Sequence, residues 1–315
     1  MNDFDSGRPA ANACTPLLRG IRAYFAPVNR TGTAPVAFDT NALGRFDLDS
    51  PPSPWIDLGW VDDFSRKCAS KVGVLAQGSP AGTAMQLRET SDATVGLRFL
   101  HWGKLQMALA GGSEHWNLLN SGTACAITAE STAAKLAMSA ADAAKYSTGQ
   151  IVVVDLDYSG QTGYVGSGCT GSHVAKAALI QGDADFIRRV SMNVARVSSV
   201  DSSGLQLASP LLAGAPGAGM RVQAVTGFMD REGGTFFQEW SALFVVQAEE
   251  GERVLYNYPR LQAKTGAQER VDPFAGNLQR ISLTAEFRAL PVLDARDGQH
   301  VLCYRSFLPA AGLPL

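Results

Sequence analysis

The sequence predicts a mainly β protein: a β-sandwich or barrel with one flanking helix and a small inserted β-barrel domain. Alternation of apolar and polar residues over 281–289 is the clearest observation, because it is the period of a strand with one face in water. An apolar run over residues 240–247, a turn and a return run over 253–258 indicate a hairpin. The composition agrees, since only 18% of residues are charged while 32 are glycines.

The N-terminal part of the chain begins with small and polar residues, and we expect residues 1–18 to form a flexible arm. Residues 20–28 predict the first strand, and residues 29–54 carry the Thr, Gly, Asp and Pro of a loop. A short apolar strand over 55–60 follows, broken at Gly59.

A helix is predicted next, because Asp62 or Asp63 is a suitable cap for a helix that runs to Val72. Residues 85–98 predict extended chain. The apolar spacing over residues 102–110 predicts the flanking helix, which the following Gly-Gly pair ends.

The middle of the chain has a different texture. An alanine-rich segment over 133–146 predicts a helix or linker. Short strands follow, bounded by turn residues at 201–204 and 210–219, and they are predicted at residues 149–155, 188–200, 205–207 and 220–228.

The C-terminal part predicts two antiparallel hairpins. Pro259 is expected to end the regular pairing of the first hairpin, because proline has no N–H for the ladder. In the second, a loop with Asp297 and Gly298 reverses the chain from 281–289 into 300–307. The whole pattern predicts an N-terminal arm over 1–18, a discontinuous β domain over 19–129 and 227–315, and an inserted small β domain over 130–226.

Composition restricts the function classes. The formal net charge of −2 lacks the basic footprint of stable nucleic-acid binding. No signal peptide and no run of eighteen apolar residues is present, so we expect no membrane span. The cysteines are odd in number and widely spaced, which predicts reduced, buried thiols made in a cytosol; they are Cys14, Cys68, Cys125, Cys169 and Cys303.

Two glycine-containing motifs suggest ligand sites, and both have simpler interpretations. Gly166, Gly168 and Gly171 match the Gly-x-Gly-x-x-Gly of a dinucleotide site, but the nearest acidic residues, Asp183 and Asp185, fall short of the usual spacing of about 20 residues. A glycine-rich loop is the favoured interpretation. Residues 155–160 resemble the start of a calcium loop, but the twelfth position is Gly166 where a bidentate Glu is needed. A polar turn is favoured there.

Catalytic groups are few, and we expect neither an enzyme nor a cofactor or metal site. Cys169 with His173 could form a nucleophile pair, for which the alternative is a surface loop with an incidental thiol. Glu232 and Glu239 could act as paired carboxylates, but an inter-strand or inter-subunit ion pair is favoured. The histidines have no metal-binding spacing; they are His101, His115, His173 and His300.

Three segments together resemble the tail tube (major tail) proteins of long-tailed bacteriophages. These segments are residues 46–64, 240–262 and 281–291 with its return strand. The resemblance covers about the first 130 and the last 90 residues. It implies a tail-tube-like β-sandwich or barrel that assembles into stacked, hexameric rings, with terminal arms and a long loop that reach the next ring.

The same resemblance implies a structural virion protein of the phage tail, made and assembled in the host bacterial cytoplasm. Its partners would be further copies of itself and the terminator, tape measure and tail-tip proteins. Viral DNA would pass through the lumen without specific binding, which a chain of net charge −2 suits. An insertion that projects outward would obstruct a contractile sheath, so a non-contractile tail is the expectation.

Other functions stay open from the sequence. A tail-tip or baseplate hub protein, or the tube of a phage-like injection machine, would share the fold. A carbohydrate-binding β-sandwich is an alternative because tryptophans stack on sugars; the candidates are Trp55, Trp60, Trp102, Trp116 and Trp240. An enzyme using Cys169 and His173, or Glu232 and Glu239, is the third alternative.

Overall fold

The computed structural model describes residues 18–28, 35–79, 82–156, 169–170, 194–211, 214–217, 219–233, 239–249 and 251–310. Within these residues the strands are β1 Leu18–Pro27, β2 Ile56–Gln77, β3 Gly82–Phe99, β4 Glu114–Leu119, β5 Cys125–Ala126, β6 Lys135–Ala137, β7 Ile151–Leu156, β8 Cys169–Thr170, β9 Val194–Asp201, β10 Gly204–Leu207, β11 Met220–Arg231, β12 Trp240–Ala248, β13 Arg253–Ala263, β14 Gln268–Ala275, β15 Leu278–Ala289, β16 Val292–Leu293, β17 His300–Val301 and β18 Tyr304–Leu308. The helices are α1 Thr40–Leu43, α2 Lys104–Gly111 and α3 Ala140–Ala143, with a 3-10 turn at Ser121–Thr123. The prediction of a mainly β protein is confirmed.

The first sheet closes on itself. Its strands follow the order β14-β15-β3-β2-β1-β12-β13-β18, and β13 also pairs with β15. That extra pairing, which joins Leu261 to Ala289, completes a ring of six strands from β15 through β3, β2, β1, β12 and β13. Every pairing in the ring is antiparallel.

Alternation along the strands separates the inside of this barrel from its outside. On β1, Phe25 packs in the interior cluster, while its neighbour Tyr24 packs in the outer one. The interior is aromatic: the ring centroid of Phe25 lies 5.9 Å from that of Phe244 and 5.6 Å from that of Phe287. Helix α2 covers part of this core with the buried side chain of Leu109. The apolar interior supplies the main driving force for folding this half of the chain.

A loop covers the outer face of β1, β12 and β13. Phe38 and Trp55 from residues 35–55 pack on Tyr24 and Leu243. The Tyr24 hydroxyl donates a 2.9 Å hydrogen bond to the carbonyl of Leu48, which satisfies the one polar atom of that buried ring. The predicted loop over 29–54 is therefore ordered packing where it is described, with one short helix, α1.

The second sheet has its own core. Its strands follow the order β6-β10-β9-β7-β11-β4-β8, and β5 pairs with β11. Leu136, Val152 and Leu205 are fully buried in it. The buried hydroxyl of Tyr146 contacts two carbonyls, that of Thr123 at 2.5 Å and that of Val222 at 3.1 Å. The two carbonyls share the one hydroxyl proton. Through these contacts Tyr146 links the helical turn after α3 to β11 and to the 3-10 turn.

This sheet bears on the predicted domain organisation. Along the chain, the first strand of this sheet is β4 and the last is β11. The predicted domain boundaries at 129 and 227 therefore fall inside the sheet. Among the described residues no pairing closes the sheet, and the small inserted barrel stays a prediction. The predicted arm over 1–18 lies outside the described residues, apart from Leu18, which begins β1.

The predicted helix through Val72 is wrong. Strand β2 runs unbroken past Val72 and pairs with β3 from Val61 to Gln77. Asp63 has a φ of 50°, and the register shifts between Asp62 and Ser65. Asp63 therefore sits at a β-bulge, a position that suits Asp because it tolerates left-handed backbone better than most residues. Gly59, with φ 85°, marks a second irregularity and does not break the strand.

Pro259 interrupts the regular pairing of the first hairpin, as predicted, but it does not end the strand. Strand β13 continues to Ala263, and the register against β12 shifts between Trp240 and Ala242. At a bulge the ladder does not need an N–H donor from every residue. A strand therefore tolerates proline there. The carbonyl of Pro259 accepts a 2.7 Å hydrogen bond from the Ser241 hydroxyl.

The second predicted hairpin pairs differently from the prediction. Strand β15 does not pair with the segment at 300–307; it pairs with β14, β3 and β13, while β18 pairs with β13. The Asp297-Gly298 turn is present, but it joins only the short strands β16 and β17. Strand β14 was missed because its exposed side chains show no clean alternation.

Other predictions are confirmed. The strand at 240–247, the extended chain at 85–98 and the helix at 102–110 correspond to β12, β3 and α2, and Gly112 caps α2 with left-handed backbone. In the second sheet, β7, β10 and β11 match the predicted strands, and β9 matches the described end of the strand at 188–200. The alanine-rich segment forms β6 and the single turn α3.

Three cysteines are free thiols in the described chain. Cys125 is buried and Cys303 half-buried, but Cys68 is exposed on β2, so the prediction of buried thiols is wrong for Cys68. Cys14 and the side chain of Cys169 lie outside the described residues.

Candidate assembly surface

A long two-stranded ribbon extends from the barrel. Strand β1 pairs with β2 only as far as Val61, and β15 pairs with β3 only from Thr94 onward. Residues 68–77 and 82–93 therefore pair only with each other among the described residues. At the rise of an extended strand, roughly 3.3 Å per residue, the ribbon reaches about 40 Å from the sheet.

The ribbon carries large apolar side chains in water. Leu75 lies opposite Met85, and Leu87 lies opposite Gly73, so the three apolar side chains share one face. Each is more than half exposed, with Leu87 at 59%. Val72 and Val74 occupy the other face and are also exposed. Contiguous apolar surface of this kind marks a site of association in soluble proteins.

A second exposed hairpin is formed by β14 and β15. Val271 and Ile281 are directly opposite each other across it, and both are exposed. Phe274 is 63% exposed, and the guanidinium of Arg280 lies 5.7 Å from the centre of its ring. Leu278 is exposed beside the turn. Nothing in the described chain covers these side chains.

A polar cleft of about 390 Å³ lies between the base of the ribbon and the β14–β15 hairpin. Arg98 crosses from β3 to form two hydrogen bonds with Asp62, at 2.7 and 2.6 Å, and this contact holds the pKa of Asp62 below its ordinary value. Asp272 accepts from the Ser282 hydroxyl at 2.6 Å and pairs with Arg270 at 2.9 Å. The cleft thus presents both charge signs, which suits contact with a charged protein surface more than with a polyanion.

A separate cavity of about 620 Å³ lies over β13 and β18, beside residues 35–41 and 292–296. Phe38, Phe307 and Leu308 give it apolar walls, and Tyr304 donates a 2.9 Å hydrogen bond to Asp294 at its side. Asn257 is buried there, and its Oδ1 has no hydrogen-bond partner among the described residues. The cavity would suit a small, mainly apolar group that carries one donor.

The two candidate carboxylates have different surroundings. The carboxylate of Glu239 accepts from Arg260 at 2.9 Å and from Gln262 at 3.2 Å, while Glu232 is exposed. Arg260 and Gln262 are on β13, and Glu239 directly precedes β12. The favoured interpretation of an inter-strand ion pair is confirmed for Glu239.

The other candidate sites lie partly outside the described residues. Cys169 is in the short strand β8, while His173 and the three glycines of the Gly-x-Gly-x-x-Gly motif are not described. Asp155 is buried on β7, and the rest of the calcium-like loop from 157 onward is not described. His101 and His300 are exposed and far apart in sequence, and the described chain holds no cluster of three metal-ligating side chains.

The tryptophans divide between core and surface. Trp55 and Trp240 are buried in the outer and inner clusters of the barrel. Trp60 lies under the guanidinium of Arg22, 5.5 Å from it. Trp102 is about half exposed and packs against Phe228, while the side chain of Trp116 is not described. The described tryptophans therefore differ widely in their exposure.

Comparison with known proteins adds no relative. No family model matches the chain, and no curated protein is similar to it at a significant level. Within the described residues, none of the helices has the length and apolar character needed to cross a membrane.

Proposed function

We propose that this protein is a self-assembling ring subunit of a phage-type tail tube, a structural protein of the virion tail and not an enzyme. The two-stranded ribbon is the observation that carries the proposal. Its strand edges have no partner within the described residues, and it exposes Leu75, Met85 and Leu87. This combination promotes aggregation in a monomer unless another chain covers it.

The barrel supports the same proposal. It has a filled aromatic interior, so it provides a rigid body from which the ribbon and the β14–β15 hairpin extend. Rigid bodies with protruding complementary segments assemble into rings when their head-to-tail contacts close. In such a ring the conduit would lie between subunits, since the barrel interior is packed with side chains.

The sparse charge suits a conduit for DNA. Every Lys or Arg that contacts a phosphate releases counterions and strengthens binding, which would retard a passing genome. Several arginines of the described chain are instead paired with carboxylates, among them Arg22, Arg98 and Arg260. The partners in this proposal are further copies of the chain, the other tail proteins, and viral DNA without specific binding. Assembly would take place in the host bacterial cytoplasm.

Negative-stain electron microscopy across a concentration series tests the proposal. Hollow rings or tubes of uniform bore are the expected result. Single rings that never stack would favour a hub or tip protein of the same fold, and a strictly monomeric particle at high concentration would overturn the proposal. A sheath wrapped tightly on the tube would refute the non-contractile tail.

A carbohydrate-binding module remains the competing function outside the assembly class. Burial of Trp55 and Trp240 counts against it, because stacking on a sugar needs an exposed ring. Trp102 is the exposed candidate. Binding of the monomer to a glycan array, lost in Trp102→Ala, would favour this function.

A further inference from the structure

Lys104 and Asn117 meet between the barrel and the second sheet. Lys104 is the first residue of α2, and Asn117 lies on β4 with 1% of its surface exposed. The Lys104 amine donates a hydrogen bond to Asn117 Oδ1. Phe228, directly opposite Asn117 in the strand pairing, packs on Trp102 with ring centroids 6.1 Å apart, so the surroundings are partly apolar.

The amine of Lys104 has the protonation state of a nucleophile. Part of the Lys104 side chain stays accessible, but the amine is enclosed by protein, and this burial lowers its pKa to about 7. A large share of the amine is therefore uncharged at neutral pH, whereas an ordinary lysine is almost fully protonated. An uncharged amine retains the lone pair that attacks carbonyl carbon.

The side-chain amide of Asn117 lies beside this amine. Its Oδ1 accepts from the amine, while Nδ2 is buried and has no hydrogen-bond partner among the described residues. An unsatisfied buried N–H₂ group is costly, so the native state gains by losing it. The contact also holds the amide carbon next to the amine, which replaces a bimolecular encounter by a fixed geometry.

We propose that Lys104 and Asn117 form an intramolecular isopeptide bond after folding. The Lys104 Nζ bonds to the Asn117 Cγ, the bond from Cγ to Nδ2 breaks, and ammonia leaves. A proton moves from Nζ to the departing nitrogen, and no oxidant or further reactant is needed. The proposal does not depend on the tail-tube function.

We assign the proton transfer to Asp230. It follows Phe228 by two residues on β11, so it is on the same sheet face as Asn117 and diagonal to it. The Ser113 hydroxyl, just after α2, donates to the Asp230 carboxylate at 2.6 and 2.7 Å, and this contact fixes the position of the carboxylate. A carboxylate in this position can take a proton from the attacking amine and return it to the leaving group.

The bond would join two bodies of the protein covalently. Helix α2 belongs to the barrel through Leu109, and β4 belongs to the second sheet. A cross-link between them resists separation even when the noncovalent contacts open. The closed segment spans residues 104–117.

Intact-mass measurement of the full-length wild-type chain is the first test. We expect a mass below the sequence mass by one ammonia molecule after native purification, and a peptide map that contains a branched peptide joining Lys104 to Asn117. A chain dissolved in guanidinium from inclusion bodies, before it has folded, should keep the full mass and lose ammonia only after refolding. A native chain that stays at full mass after long incubation would overturn the proposal.

Variants separate the cross-link from other losses of ammonia. Lys104→Met should restore the full mass, whereas the control Lys145→Met, at an exposed lysine paired with Asp142, should still lose ammonia. Loss that persists in Lys104→Met would identify succinimide formation at an asparagine and overturn the cross-link. Asp230→Asn should slow the loss after refolding at least tenfold, and an unchanged rate would overturn the role of Asp230. The wild-type peptide map decides the question even if a variant fails to fold.

Discussion

The guanidinium of Arg22 forms a two-point ion pair with the carboxylate of Asp57, on neighbouring strands of the barrel. Nε donates to Oδ1 at 3.0 Å, and a second bond joins Nη2 to Oδ2. The Arg22 side chain is only 10% exposed, and its Nη1 also donates to Asp49 at 2.6 Å. This arginine thus fixes the covering loop to the outer face of β1.

Arg22→Met should destabilise the fold by about 3 kcal/mol, because it leaves Asp57 without its buried partner and frees the loop. Urea unfolding of the two proteins measures the difference. The matched control is Arg19→Met, which removes an exposed ion pair with Glu249 and should cost less than about 1 kcal/mol. Equal losses in the two variants would contradict a structural role for the Arg22 network.

The interior aromatic cluster gives a second prediction. Phe244 contacts Phe25, Tyr258 and Phe64, with the Phe64 ring centroid 5.1 Å away. Phe244→Ala should therefore lower the free energy of unfolding by about 4 kcal/mol, since it leaves a cavity in a packed core. Phe274→Ala removes the same group from an exposed position and should change it by less than about 0.5 kcal/mol. A small effect at Phe244 would refute the filled interior.

The ion pair at the base of the ribbon predicts a pH dependence. Arg98 lowers the pKa of Asp62 in the folded state, so the stabilisation is complete above the ordinary carboxyl pKa of about 4 and is lost as the pH falls below it. Asp62→Asn should lose less stability than the wild type between about pH 6 and about pH 3. Glu130→Gln, at an exposed carboxylate outside the described ion pairs, should follow the wild-type curve. Chemical denaturation at each pH measures both.

The strands that have strong alternation or continuous apolar runs could be predicted from the sequence, and these include β12, β15 and β7. The local irregularities could not be predicted from it. Asp63 suits both a helix cap and a bulge, and only the pairing of β2 with β3 decides between them. Pro259 illustrates the same limit, because a bulge in its own strand, opposite Ser241, accommodates it.

The candidate sites were less predictable than the fold. The apolar face of the ribbon depends on cross-strand pairs such as Leu75 with Met85, which a single strand's pattern does not reveal. The contact of Lys104 with Asn117 joins a helix to a strand of another sheet, and neither residue belongs to a recognisable motif. The one signal available was a lysine at the start of a mainly apolar helix.

The ribbon gives the most direct prediction about assembly. Leu87→Glu places a charge on the exposed apolar face, so rings or tubes should be absent at concentrations where the wild type assembles. Gln86→Glu adds the same charge at the neighbouring position on the opposite face and should assemble normally. Sedimentation velocity with electron microscopy measures both, and unfolding curves should coincide because neither side chain is buried. Normal assembly of Leu87→Glu would show that this face is not the contact, and failure of both variants would show that charge alone is responsible.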